Sequence, residues 1–413
     1  MGYQLLCRNC GAVLTEDHYR CPQCGGVLEC AFDLTDKQHF IYILRGARCF
    51  WDYRELLPVH DAPAVSIGEG STALVDAPYL ASALGVGRLF VKNEGQNPSG
   101  TFKDRCLSVG YTKARELGAP ATVIGSAGNA GAAAAAYAAA AQIPCFVMVP
   151  AATAMERVVQ TLMYGGQVVK IRGNVSDCIE MLGKVCASRG WHNMTTAHPC
   201  NPFQAEGAKT IAYELAKQFD WKLPDWVIVP IGGGGILSGI HKGFRDLLEL
   251  GMIHRIPHLC GVQEDGCCAV VNAFDAQKSP EEIVRVENPT GVAVAINDAY
   301  PLDGETALRA IYETNGAAIK VTAAQIARAQ SLLGEKSGLF VEPASACTVA
   351  ALDVLVARNL VGVKDSVACV VTGSGLKDPA FAIGHASRPL EVDMDDAQLD
   401  EAIDRCLAAR NRR

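Results

Sequence analysis

An α/β protein with a mostly parallel sheet, preceded by a small cysteine-rich unit, is the fold class this sequence predicts. Between residues 121 and 171 short apolar runs alternate with helix-forming stretches, and an apolar run at 226–231 leads into another helical pattern. Strands joined through helices in this way pair in parallel with right-handed crossovers. Three strand-to-helix junctions, at 97–105, 126–129 and 232–235, carry Gly, Ser, Asn and Pro in place of ordinary loop residues. Ligands in such sheets bind at the carboxyl ends of strands. The third observation is a pair of Cys-x-x-Cys segments within the first 24 residues. A length of 413 residues is too great for one small unit, and the chain divides at 1–33, 34–195, 196–390 and 391–413, the last a charged helical tail.

The first unit holds Cys7-Arg8-Asn9-Cys10-Gly11 and Cys21-Pro22-Gln23-Cys24-Gly25. Two such knuckles place four thiolates, Cys7, Cys10, Cys21 and Cys24, tetrahedrally around one Zn²⁺. Four sulfur ligands leave no open position, so the predicted zinc is structural. The other reading is a ribbon that keeps its cysteines without metal. A redox dithiol is disfavoured because no βαβ pattern surrounds either pair. Cys30 lies just beyond the knuckles and is not counted as a ligand. The seventeen cysteines are an odd number without framework spacing, and outside the knuckles they read as reduced, buried hydrophobes of a cytoplasmic protein.

Hydrophobic residues make up 49% of the chain against 20% charged, enough for a large core. A net charge of −7 argues against nucleic acid as a partner. No apolar run is long enough to span a membrane.

Residues 91–105 run from a strand end through a polar loop, punctuated by Pro98 and Gly100, into a helix start. Ser99 or Thr101 is placed to cap that helix. Lys103 therefore lies in the first turn, where the positive end of the dipole disfavours its ammonium form. An amine that loses its proton easily is what Schiff-base chemistry with an aldehyde requires. A solvated lysine is the ordinary reading of such a position, and the later segments argue against it. Ser126-Ala127-Gly128-Asn129 opens a stretch of almost pure alanine at 132–141, a helix on propensity alone. Its free N–H groups can hold a carboxylate. Strands at 145–149 and 167–171 flank a helical pattern at 154–164. Gly232-Gly233-Gly234-Gly235 then leads from a buried strand into an apolar helix. Bare backbone with a helix dipole behind it suits a phosphate. A dinucleotide is disfavoured, because no G-x-G-x-x-G opens the helix with an acidic residue about twenty positions on. A last strand ends in Thr372-Gly373-Ser374-Gly375.

Asn97-Pro98-Ser99-Gly100-Thr101-Phe102-Lys103-Asp104-Arg105 resembles the lysine motif of the fold-type II pyridoxal-phosphate (PLP) enzymes and is most similar to that of the threonine synthase family. The likeness runs in order to about residue 386. It implies a tryptophan synthase β-like fold, two open parallel-sheet domains with PLP between them, behind a small zinc ribbon. A homodimer is implied as well. By resemblance Lys103 is the Schiff-base lysine and general base, and Asn129 bonds the O3′ of PLP. Gly232, Gly233, Gly234 and Gly235 hold its phosphate, and Thr372, or failing it Ser374, bonds the pyridine nitrogen. Ser126, Ala127 and Gly128 grip the substrate's α-carboxylate, with Gln204 in the substrate site. Phe340-Val341-Glu342-Pro343 also fits the family, with a structural role for Glu342.

The departures bear on the substrate. The family binds a phosphorylated substrate through hydroxyls, an arginine and an asparagine, and Ala127, Ala130, Gln204 and Gly233 stand at the corresponding positions. A charge-assisted hydrogen bond of that kind is worth about 1.5–3 kcal/mol, so the absence of several weakens a phosphate site severely. The implied function is a threonine synthase-like PLP-dependent lyase, which removes a γ-substituent from an amino acid and hydrates Cβ, as in O-phosphohomoserine to threonine. The alternative is β-elimination or β-replacement on an unphosphorylated amino acid, as in serine and threonine dehydratases. The expected partner in both is a small-molecule amino acid.

Overall fold

The computed structural model describes residues 2–126, 128–172 and 175–410. Strands β1 (Tyr3–Cys7), β2 (Val13–Leu14) and β3 (Leu28–Phe32) form an antiparallel ribbon in the order β2-β1-β3. Strands β4 (Leu74–Asp76) and β5 (Arg88–Asn93) then open a larger sheet. The chain leaves it for β6 (Thr122–Gly125), β7 (Cys145–Pro150), β8 (Gln167–Ile171) and β9 (His192–Asn193), which pair in parallel as β8-β7-β6-β9. It returns with β10 (Trp226–Pro230), β11 (His258–Glu264), β12 (Ala317–Val321) and β13 (Ser366–Val371). The finished six-stranded order is β12-β11-β10-β13-β5-β4, with only the edge strand β4 antiparallel.

Side-chain alternation shows why these strands read as unbroken apolar runs. Phe90, Val227, Val229 and Val370 point into one core, while Leu89, Val91, Ile228 and Val371 point into the other. A sheet covered on both faces has no polar side to display.

The alanine helix spans Asn129–Ala141, with Gly128 as its N-cap residue. The stretch expected to be helical at 154–164 yields only a 3₁₀ turn, Met155–Arg157, and a short helix, Val159–Met163. Gly165, at φ 82°, takes a conformation that ends it. The charged tail forms the largely exposed helix Asp396–Arg410.

The helix bearing Lys103, Lys103–Glu116, runs through the middle of the molecule with residues 104–114 all buried. Buried charge fixes its start. Arg105 donates to Glu94 at 2.7 and 2.8 Å and to Glu214 at 2.7 and 2.8 Å. Lys92, on β5, donates to the same Glu214 at 2.7 Å. Helix, strand and the Thr210–Gln218 helix are thereby tied at one point. The ribbon is not a separate bead. Tyr3, Leu5, Cys7, Cys21, Leu28 and Cys30 pack around Phe203 of the main body, and Cys30 Sγ lies 3.7 Å from the Pro202 carbonyl.

Candidate active site

Lys103 is the first residue of its helix, as expected. The cap is built differently. Ser99 donates both its N–H and its hydroxyl to the Asp104 carboxyl, so its oxygen does not serve the helix. Thr101 Oγ1 accepts from the Lys103 N–H at 3.4 Å. The Lys103 amine donates to Thr196 Oγ1 at 2.6 Å. Burial pulls it below the ordinary lysine value, against the opposing influence of Cys106, Asp298, Asp303 and Glu342. The helix dipole acts in the same direction as burial, and desolvation is the larger cause. Phe102, Lys103, Cys106, Thr196, Gln204, Gly235 and Asp303 share one small cavity.

The lysine loop is bonded to the turn after β13. Phe102 N–H donates to the Thr372 carbonyl at 3.0 Å, and Ser374 N–H to the Gly100 carbonyl at 2.9 Å. Of the two hydroxyls in this turn, Thr372 is buried in the junction, whereas Ser374 accepts from the Leu376 N–H and caps a 3₁₀ turn. Asn129 Nδ2 donates to both oxygens of Glu342, at 3.1 and 3.0 Å. Thr372 Oγ1 lies 3.5 Å from Glu342 Oε1.

The four glycines join β10 to the helix Gly235–Glu249. Gly234 has φ +97°, and a Cβ on it would stand 2.6 Å from the Asp303 carbonyl. Only glycine satisfies both conditions. A Cβ on Gly232 would lie 3.1 Å from Asp298 Oδ2. A Cβ on Gly235 would lie 3.0 Å from Asp303 Oδ2, so two carboxyls flank the turn. Asp303 is held by the His198 N–H at 3.2 Å and by its ring Nδ1, also at 3.2 Å. Asp298 is exposed beside the turn; partial desolvation pushes its carboxyl up, with Lys103 pulling the other way.

At the 126–129 turn, Ser126 Oγ accepts from the Gly128 N–H at 3.4 Å. Ala127 lies outside the described residues. A Cβ on Gly128 would be 3.4 Å from Arg157 Nη2, so a guanidinium stands at this turn. Gln204 lines the lysine cavity. It donates to the Thr195 carbonyl, while its buried Oε1 has no partner. Sequence reasoning missed Arg157, Thr196, Asp298 and Asp303, and it left Glu342 without a chemical role. Each reaches the site from a remote part of the chain, with no local motif to mark it.

In the ribbon, the sulfurs of Cys7, Cys10, Cys21 and Cys24 all lie within 4.8 Å of one another. Cys7 and Cys24 are 3.5 Å apart, and Cys10 and Cys21 3.8 Å. A tetrahedral site with Zn–S near 2.3 Å has edges of about 3.8 Å, so the four thiols fit zinc. PLP is tested in the same way. The turn admits no side chain at Gly234, and a half-buried amine of lowered basicity opens on the cavity that Gly235 lines. Amide and hydroxyl donors, Asn129 and Thr372, meet at Glu342, whose carboxyl acts on the Lys103 amine. The residues fit.

A protein with two parallel sheets that sets a helix-start lysine and a glycine turn on one cavity belongs to the fold-type II class of PLP enzymes. The family model for pyridoxal-phosphate dependent enzymes matches residues 65–373. The chain is 39% identical to a threonine synthase of Methanosarcina acetivorans, over 97% of this chain and 98% of the relative. It is 38% identical to one of Methanocaldococcus jannaschii, over 94% and 96%. Among solved structures, the processed threonine deaminase isoform 2 of Solanum lycopersicum superposes with a TM-score of 0.64 at 17% identity, covering 90% of this chain and 88% of that one. Diaminopropionate ammonia lyase of Escherichia coli gives 0.65 at 16% identity, covering 76% and 87%. These two support the fold. The chain belongs to the threonine synthase family of PLP-dependent enzymes.

Proposed function

We propose that the chain catalyses a threonine synthase-type reaction, loss of a γ-substituent from an amino acid followed by addition of water at Cβ, with O-phosphohomoserine as the substrate. The observation that carries this reading is the Lys103 amine, desolvated towards its neutral form inside a cavity lined by Gly235 and Gln204. PLP, when bound, supplies the electron sink that makes C–H bonds beside the amino group acidic. Lys103 anchors it through Nζ, then takes and returns protons along the substrate's carbon chain. The N–H groups at Gly232, Gly233, Gly234 and Gly235 bind the cofactor phosphate, while Asn129 and Thr372 orient the ring. Ser126, Ala127 and Gly128 present the start of the alanine helix to the α-carboxylate. Gln204, with its unpartnered oxygen, lies on the substrate side.

One observation favours the second reading, β-elimination or β-replacement on an unphosphorylated amino acid. The side chains lining the lysine cavity include no cation besides Lys103 itself, and Asp303 is among them. Phosphate release with O-phosphohomoserine decides between the two. Rapid release is expected, whereas a keto acid formed from serine or threonine with no phosphate released would overturn the first reading.

Arg157, standing at Gly128, offers a cation at the turn assigned to the α-carboxylate. Arg157→Ala should raise KM for an anionic amino acid about 10- to 100-fold, as expected for a charged hydrogen bond worth about 1.5–3 kcal/mol, with a smaller change in kcat. Steady-state kinetics check this.

The ribbon, 1–33, is proposed to bind one structural Zn²⁺ through Cys7, Cys10, Cys21 and Cys24, ahead of catalytic parts 34–195 and 196–390 and the tail 391–413. Metal analysis should find one zinc per chain. Its removal by a chelator should melt the ribbon first, because structural zinc binding and folding share one free energy of about 10–16 kcal/mol in zinc-finger peptides. Loss of ribbon circular dichroism before the main unfolding step is the expected signal. A cytoplasmic homodimer completes the proposal, and the free thiols at all described cysteines are consistent with a reducing compartment. No helix among the described residues is long and apolar enough to cross a membrane.

A further inference from the structure

The chemistry proposed above leaves a buried carboxyl at its centre unused. Glu342, 3% exposed, is the N-cap residue of the helix Pro343–Ala357. Its two oxygens hold Asn129 Nδ2 at 3.1 and 3.0 Å, and Oε1 approaches Thr372 Oγ1 at 3.5 Å. Asn129 is 213 residues away in sequence and Thr372 is 30. A Cβ at position 373 would collide with Glu342 Oε1, so Gly373 is what lets the carboxyl come in behind the Thr372 turn. The closeness is built into the backbone.

We propose that Glu342 is a positioning residue joining the two edges of the cofactor ring: it orients the Asn129 amide towards the ring oxygen and, through the Thr372 hydroxyl, governs the proton on the pyridine nitrogen. The inference rests on the PLP reading above. An amide NH₂ has two donors. A single N–H shared between the two Glu342 oxygens accounts for both contacts and leaves the other for the ring oxygen. A hydroxyl has one proton. Ser345 Oγ accepts from the N–H groups of Thr372 and Gly373, at 2.8 and 2.9 Å, and lies 3.1 Å from Thr372 Oγ1. With two N–H groups already on its oxygen, Ser345 serves there as the donor, which leaves the Thr372 proton for Glu342 or for the ring. When Glu342 is protonated, it donates to Thr372 Oγ1 and Thr372 donates to the bare ring nitrogen. When the proton shifts along this line, Oε1 gives it to Thr372 Oγ1, and the Thr372 proton passes to the ring. A carboxylate and a ring N–H result, with one proton conserved.

The surroundings keep both states within reach. Burial pushes the Glu342 carboxyl up, the Asn129 bond and Lys377 pull it down, and Asp378 pushes it up again. Lys103 and the Cys347 thiol also face it.

The test uses holoenzyme loaded with PLP carrying ¹⁵N in the ring, whose nitrogen resonance separates the protonated from the bare form. Wild type, Glu342→Gln and Thr372→Val are compared over the pH range in which each is folded. Wild type is expected to titrate. Both variants should hold the nitrogen bare at every pH while keeping the cofactor's visible absorbance, and kcat in Glu342→Gln should fall about 10-fold or more with KM changed less than about twofold. Identical resonances in all three proteins would overturn the proposal. Should Glu342→Gln fail to fold, Thr372→Val decides on the same criterion. Absence of visible absorbance in wild type would instead remove the PLP reading.

Discussion

Lys103→Ala is expected to reduce turnover by about 10⁴-fold or more, since in the proposed reaction one residue supplies both the covalent anchor and the general base. The visible absorbance of the anchored cofactor should vanish with it. The fold should persist, because the amine makes one hydrogen bond, to Thr196 Oγ1, and no close ion pair among the described residues. Circular dichroism and a thermal melt within a few degrees of wild type would separate lost chemistry from lost structure. Lys103→Arg should be equally inactive. Its guanidinium keeps the positive charge and has no neutral form to offer. Appreciable activity in either variant would remove Lys103 from the mechanism.

The largest loss of stability should come two positions further on. Arg105 is wholly buried and holds two carboxyls, Glu94 and Glu214, that are themselves buried. Arg105→Leu leaves both with Lys92 as their remaining cation nearby. Breaking a buried pair on one side costs about 3–5 kcal/mol, a large part of a typical domain's stability. Urea denaturation should show this as a lowered midpoint. Burial pushes these two carboxyls up, but Arg105 and Lys92 outweigh it and hold both below the usual carboxylate value. Depressed carboxyls contribute stability that is complete above the unfolded value, near pH 4.3, and is lost as pH falls through the folded one. The acid limb of the stability curve should therefore be steep in wild type and shallower in Arg105→Leu.

These two neighbours show what a sequence discloses and what it withholds. The Lys103 junction, the 126–129 turn and the four glycines were each legible because strand end, turn and helix start are contiguous. The cysteine knuckles were legible through spacing alone, and their sulfurs do converge. Arg105 gave no such sign. Its partners lie 11 and 109 residues away, and a charged residue in a first helical turn ordinarily faces water. The same reason hid Glu342 behind Asn129 and set Arg157 at Gly128. Sheet pairing was hidden too. Nothing local in Arg88–Asn93 announces that it lies beside Ser366–Val371. Two apolar faces tell a strand that it is interior, not who its neighbour is.

Phe203 stands at the seam between ribbon and core, wrapped by Tyr3, Leu5, Cys7, Cys21, Leu28 and Cys30, and its next neighbour is Gln204. A shortened enzyme started at residue 34 would carry that aromatic ring as a greasy scar, prone to stick to other molecules. An engineer seeking a smaller catalyst would have to repaint the scar with polar residues and brace the loop beneath it. Trimming alone would trade a small folded unit for an insoluble product.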